Sequence, residues 1–256
     1  MTWFESLPDE LPDGRLVVPA GGTVPAYWIS TRPTSAAAWS AWRERHPATG
    51  LWPLLIRAKE GADDPLGLHI EETANFSSPT DADAVEVLAE WFRYTVEDHV
   101  EFDYLEPFGP TWPGVSPPLP PLGPPDQLAD RFAAQLIAEQ PMSGGVHLGL
   151  VPATIGAETL TTLGWIGPFN HENDTGLIAQ VLLDWGQRFG ARMVGLGSDT
   201  VDVSVAAPPT TYEQALRVAM EHFAFCPDNI WTSAFNTIPE YAEAITNLPA
   251  WSFWWD

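Results

Sequence analysis

Residues 107–125, PFGPTWPGVSPPLPPLGPP, hold nine prolines in nineteen positions. Each proline fixes φ near −65° and has no amide proton, so this stretch can be neither a helix nor a central strand. A fold must be built from the segments on either side, 1–106 and 126–256, with 107–125 as a connector. PPLPPL has the composition of a polyproline II ligand for an SH3-like groove. The plainer reading is a semi-rigid spacer pinned to the body by Trp112.

In the first segment, GRLVVP (14–19) and PAYWIS (25–30) predict short strands between turn residues. Residues 33–46 predict a helix that Ser35 caps, with Trp39 and Trp42 on one face. LWPLLIRA (51–58) predicts a strand, and Pro53 places it at a sheet edge. Residues 81–105 predict the longest helix, capped by Asp81. Val85, Leu88, Phe92, Val96, His99 and Phe102 form its apolar stripe, and Glu86, Glu90, Glu97, Asp98 and Glu101 its acidic face.

The second segment is more regular. A helix at 126–139 leads into GVHLGLVPA, a strand buried on both faces. A short helix (157–163) and the loop GWIGPFNHEND precede a helix at 174–189, whose stripe is Leu177, Ile178, Val181, Leu182, Trp185 and Phe189. ARMVGLG and VDVSVAA predict two strands joined by SDT. Val201, Val203 and Val205 alternate with Asp202 and Ser204, the period of a strand with one buried face. TTYEQALRVAMEHFAF is a helix, 237–247 another, and WSFWW a last strand with Trp251, Phe253 and Trp255 on one side and Trp254 on the other. With the short helices set aside, the order is strand, helix, strand, strand, helix, strand. The expected fold class is α+β: a ferredoxin-like split β-α-β sheet in 126–256, with an α/β N-terminal half packed beside it.

Charge limits the partners. Thirty-four acidic residues face eleven basic ones, for a net charge of −23, and Lys59 is the one lysine. Phosphate backbones require clustered Lys and Arg, so nucleic acid and anionic membrane surfaces are excluded as partners. A basic protein partner, or plain solubility, fits this charge. A single cysteine suits a reducing compartment. The acidic start MTWFESLPDELPDG has no apolar core like that of a signal peptide, and no run reaches about 18 apolar residues. A cytoplasmic location is expected.

Two stretches could carry chemistry. EHFAFCPDNIW (221–231) holds the lone Cys226, with His222 four residues before it and Asp228 and Asn229 after it. Pro227 could start a new helical turn with Cys226 at its N-cap, which lowers a thiol pKa, and His222 could then be its base. Against this, His222 lies in the last turn of a helix, where the dipole already stabilises an imidazolium. Phe223 and Phe225 mark an apolar surround in which an inert cysteine is common. A His and Cys four apart also have workable metal spacing, but only His171 could join them. In PFNHENDTG (168–176), Asn170, His171, Glu172, Asn173 and Asp174 precede an apolar helix. They read as a capping loop, with Asn173 or Asp174 as the cap, or as a recognition loop at a helix N-terminus. No G-x-S-x-G, H-E-x-x-H, Walker loop or C-x-x-C occurs, so neither a metal nor a cofactor is expected.

GWIGPFNHEND, RFGARMVGLGSDTVDVSVAAPP, EHFAFCPDNIW and WSFWWD resemble the bacterial family known as domain of unknown function 4253, abundant in actinobacteria, over roughly residues 146–256. The resemblance implies that these stretches are family hallmarks, and it implies no activity.

The leading functional expectation is therefore an acidic, non-catalytic protein that occludes a cationic partner, as an immunity protein does a toxin. Glu97, Asp98 and Glu101 are its partner-binding candidates. The alternative is a small-molecule enzyme or ligand sensor that uses Cys226, His222, Asn170, His171, Asn173, Asp174, Asp228 and Asn229.

Overall fold

Along 201–203 the side chains alternate in role, with Val201 and Val203 in the main apolar core and Asp202 in an ion pair. That alternation seats the segment in a seven-stranded sheet. The computed structural model describes residues 2–57, 64–68, 76–99, 105–139, 145–231, 235 and 237–256. The strands are β1 (Gly14–Val17), β2 (Tyr27–Pro33), β3 (Leu51–Arg57), β4 (Val146–Pro152), β5 (Arg192–Leu196), β6 (Thr200–Ser204) and β7 (Ala250–Trp254). The helices are α1 (Ala36–Thr49), α2 (Ala84–His99), α3 (Pro125–Glu139), α4 (Glu158–Leu163), α5 (Thr175–Phe189), α6 (Tyr212–Phe225), α7 (Asp228–Trp231) and α8 (Ile238–Ile245).

The fold is a mixed α+β arrangement with strand order β1-β2-β4-β3-β5-β6-β7. Its pairs are antiparallel except β3 with β5. Helices cover both faces. On one face α2, α5, α6 and α8 bury Trp91, Trp185, Phe225 and Tyr241 against Val201, Val203, Trp251 and Phe253. On the other, α1 and α3 bury Trp39, Trp42 and Phe132 against Trp28, Leu55, Leu148 and Val194.

The expected ferredoxin-like order is not the one formed. In a split β-α-β unit the two strands joined by the first helix run parallel, and a strand of the same unit lies between them. Here the strand between β4 and β5 is β3, from the N-terminal half, and β4 runs antiparallel to β5. Strands from both sides of the proline-rich stretch thus share one sheet. α5 and α6 nevertheless lie on a common face, because their buried side chains share one core. β7 has the expected alternation: Trp251, Phe253 and Trp255 are buried, while Ser252 and Trp254 face outward.

Two local expectations need correction. Pro53 does not mark an edge, since β3 is central. Its missing amide is tolerated because β3 and β5 pair only at Leu55–Gly195 and Ile56–Leu196, so Pro53 lies where those strands have parted. The second correction is the phase of α2. Asp83, not Asp81, accepts from the Val85 amide at 2.8 Å. Ala84, Val87, Trp91 and Thr95 join Leu88 and Phe92 on the buried face, and Val85 is 40% exposed. The expected positions Glu101 and Phe102 lie outside the described residues.

The proline-rich segment is tied to the body. Trp112 packs on Phe92 at 5.3 Å, and the Leu122 amide donates to the Ala206 carbonyl at 2.7 Å. Between them the Ser116 amide donates to Glu221 at 2.7 Å.

Candidate functional site

The stretch after α6 is built around the outer edge of β7. Thr211 caps the start of α6 through the Gln214 amide, and the Cys226 amide closes its end on the His222 carbonyl at 2.8 Å. Pro227 cannot continue that helix. The chain turns into α7, and this aims Cys226 and Asn229 at β7. The Cys226 thiol donates to the Trp254 carbonyl at 2.9 Å. Asn229 Nδ2 donates to the Ser252 carbonyl at 2.8 Å and to the Tyr241 hydroxyl at 3.3 Å, and its Oδ1 accepts the Trp254 amide at 3.2 Å. The Asp256 amide donates to Asp228 at 3.2 Å. These side chains occupy the backbone groups that an edge strand otherwise presents to another chain.

The same geometry sets the chemistry of Cys226 and His222. Both are fully buried. Burial pushes the Cys226 thiol well above the free value and outweighs its hydrogen bonds. The N-cap activation that Pro227 offered as an alternative does not form, because the helix that follows has a single turn and the sulfur faces Trp254. His222 is not a stabilised imidazolium either. Burial, with Arg188 nearby, pushes its pKa down to about 3, so it is a neutral imidazole. Its Nδ1 lies 3.0 Å from the Tyr241 hydroxyl, and its Nε2 has no hydrogen-bond partner among the described residues. Its ring is enclosed by Trp185, Trp251 and Phe253, with centroids at 5.1, 4.4 and 4.9 Å.

The loop 168–174 lies beside this motif. Asn170 Nδ2 donates to the Asp256 carbonyl at 2.8 Å. His171 stacks at a tilt on Trp91 at 5.4 Å. Burial lowers its pKa against the opposing pull of Glu172 and Asp228. Glu172, which the sequence reading left among the capping residues, accepts from Trp91 Nε1 at 2.9 Å and from the Asp174 amide at 2.8 Å. Asp174 is the cap: one carboxylate oxygen accepts the amides of Gly176 and Ser77, each at 2.9 Å. Asn173 is exposed. Asn170, His171 and Asp228 are therefore brought together near the chain terminus, whereas Asp174 faces the 76–78 segment. Among the described residues no group of three or more His, Cys, Asp or Glu is placed to hold a metal ion. Of the partner-binding candidates, Glu97 is exposed on α2, while Glu101 and the side chain of Asp98 lie outside the described residues.

Two features escaped the sequence reading. The first is a buried charge cluster. Glu221 is fully buried and accepts from Trp185 Nε1 at 2.8 Å, from the Ser116 amide and from Arg188 at 2.6 and 3.0 Å. Arg188 also donates to Asp184 and to the Ser116 carbonyl at 2.8 Å. Burial opposes the guanidinium charge, but the bonds to Glu221 and Asp184 outweigh it and raise the Arg188 pKa. The one available signal was the spacing of Asp184 and Arg188 on a helix.

The second feature is a cleft of about 610 Å³ between the amino ends of β3 and β5, lined by residues of α1, α5 and the loop after β4. Pro53 was the signal for it, since a proline within a central strand marks a broken ladder. No helix among the described residues is long and apolar enough to cross a membrane.

No curated protein and no solved structure matches the chain. A family match does cover residues 147–256, from β4 through the edge clasp of β7, and leaves out the central strand β3. The family is described as "Domain of unknown function (DUF4253)", and residues 147–256 of the chain match it.

Proposed function

We propose that the chain is a non-catalytic binding protein whose acidic surface docks a basic protein, in the manner of an immunity protein that occludes a cationic toxin. The observation that carries this reading is the partition of charge. Arg43, Arg45, Arg57, Arg93, Arg188 and Arg192 each lie within ion-pair distance of a carboxylate of the same chain. Much of the positive charge is thereby matched internally, and the acidic surplus is left on the surface. Along α2 and its lead-in, Asp81, Asp83, Glu86, Glu90 and Glu97 are exposed. Arg93 meets Glu90 and Glu97 at the surface, where such pairs contribute little, so the stripe stays negative. A stripe of this kind accelerates encounter with a basic partner. The lone cysteine and its neighbouring histidine are buried in the clasp of β7, which supports a role without turnover at that place.

The test is affinity capture from a host lysate with two baits, the native chain and the charge-reversed E86K/E90K/E97K variant, each at low and at about 0.15 M salt. The reading expects basic proteins that the native bait retains and the reversed bait loses. Identical captured sets from both baits would reject it.

A further inference from the structure

We propose that the cleft between β3 and β5 binds a small apolar monocarboxylate. This site is independent of the acidic stripe on α2 and of any protein partner.

The cleft originates in the sheet. β3 and β5 are paired only at their carboxyl ends. Towards their amino ends they part, and Pro53 has no amide proton with which to close the gap. Trp52 spans it with a side chain instead: its indole Nε1 donates to the Met193 carbonyl at 3.1 Å. Gly156 fixes this wall, since a Cβ there would lie 2.8 Å from both Trp52 and Met193. The opening of about 610 Å³ falls within the roughly 300–1,000 Å³ of small-molecule pockets. Its interior is apolar, with Trp52, Leu182 and Met193, and Gly186 of α5 leaves room beside them.

The mouth carries two of the chain's few cations. Arg43 directs Nε and Nη2 to Asp130, both at 2.8 Å. Its Nη1 lies 3.7 Å from one oxygen of Asp126, beyond hydrogen-bonding distance. Arg192 Nε reaches the other oxygen of Asp126 at 3.4 Å. Two guanidiniums thus share, at slack distances, one carboxylate whose side chain is 59% exposed. A ligand carboxylate that takes the place of Asp126 can form shorter, charge-assisted bonds with both. A second negative charge on the ligand is disfavoured by Glu44 and Asp126 at the same mouth and by the net −23. A neutral ligand gains no charge-charge attraction from either arginine. The chemistry therefore selects a monoanion with an apolar body.

Isothermal titration of the full chain with 2-naphthoate, 2-naphthamide and 2-naphthyl phosphate tests this. The carboxylate is expected to bind about tenfold more tightly than the amide, the scale of a charge-assisted hydrogen bond, and more tightly than the phosphate. Arg192→Gln should erase the preference for the carboxylate over the amide, and Asp126→Asn should enhance it by removing the internal competitor. Gly186→Leu, with its fold checked by circular dichroism, should abolish binding of both by filling the cleft. No binding of naphthoate up to about 1 mM, a Kd at which the free energy is only about −4 kcal/mol, overturns the inference. Equal affinity for carboxylate and amide, a preference for the phosphate, or binding unchanged in folded Gly186→Leu overturns it as well.

Discussion

Asn229 is hydrogen-bonded to the backbone of Trp254 at 3.2 Å and, through the other atom of its amide, to the carbonyl of Ser252 at 2.8 Å. One side chain thus makes the pair of contacts that a neighbouring strand would make. It does so along the outer edge of β7, at the margin of the sheet. An edge covered in this way is closed to pairing with a second chain.

Asn229→Ala should therefore do two things. It leaves the Trp254 amide and the Ser252 carbonyl without this partner, a loss of about 1–3 kcal/mol if they stay dry. It also reopens the edge. Urea denaturation should show the lowered stability, and light scattering on standing at constant temperature should show faster association than for the native chain. A variant as stable and as monodisperse as the native chain would contradict the clasp.

Cys226 belongs to the same clasp. The structure supplies an acceptor, the Trp254 carbonyl at 2.9 Å. Cys226→Ser keeps a donor there and Cys226→Ala does not, so the serine variant should be the more stable of the two. Alkylation of the native thiol by iodoacetamide near neutral pH should be limited by unfolding, because the thiol is buried and its pKa raised. Rapid labelling of the folded chain would contradict this.

His222 links stability to pH. Its folded pKa, pushed down to about 3 by burial and then by Arg188, lies below the unfolded value near 6.5. Between these values the unfolded chain binds the proton and the folded chain does not. The contribution of His222 is therefore complete above about pH 6.5 and falls as pH drops toward 3. Between pH 6.5 and 5 the slope approaches about 1.4 kcal/mol per unit, mostly above the range where carboxylates titrate. In His222→Phe this part of the slope should vanish, even if the variant is less stable overall. An unchanged slope would show that the imidazole is not held neutral.

Glu221 sits at the junction of α5, α6 and the proline-rich segment. Among the described residues, Glu221→Ala leaves Arg188 with Asp184 and the Ser116 carbonyl as hydrogen-bond partners, and strips Trp185 Nε1 and the Ser116 amide of theirs. Breaking a buried pair from one side costs about 3–5 kcal/mol. The segment around Ser116 should also become accessible to protease, a readout separate from the global melting temperature. Unchanged protection of that segment would contradict the anchoring role.

Where a side chain's surroundings are set by local spacing, the sequence was readable. The stripe of α5 and the alternation of β7 follow from short-range periodicity, and the cap of α5 was narrowed to Asn173 or Asp174, of which the structure uses Asp174. The phase of α2 did not, because Val85 and Val87 offer two adjacent stripes. What decides between them is the packing of Trp91 and Phe92 against α6, which is not local. The strand order failed for a related reason. Nothing in 147–256 reveals that its sheet takes in β3 from more than ninety residues upstream, as the register Leu55–Leu148 shows. The cluster of Cys226, Asp228 and Asn229 could be singled out from its composition. Its use could not, since the clasp exists only once the chain terminus is laid beside it. The cleft was furthest from reach, because it depends on two parallel strands failing to pair.

In the proposed function the acidic surface docks a basic partner without turnover. Stopped-flow association of the native chain with a basic protein retained in the capture experiment, followed from about 0.02 to 0.15 M salt, tests it most directly, because screening shortens to about 8 Å over that range. The predicted result is an association rate that falls steeply with salt. It should also be lowered by E86K/E90K/E97K, with dissociation little changed. An association rate that ignores both salt and these three substitutions would contradict the claim and leave the −23 charge to solubility alone.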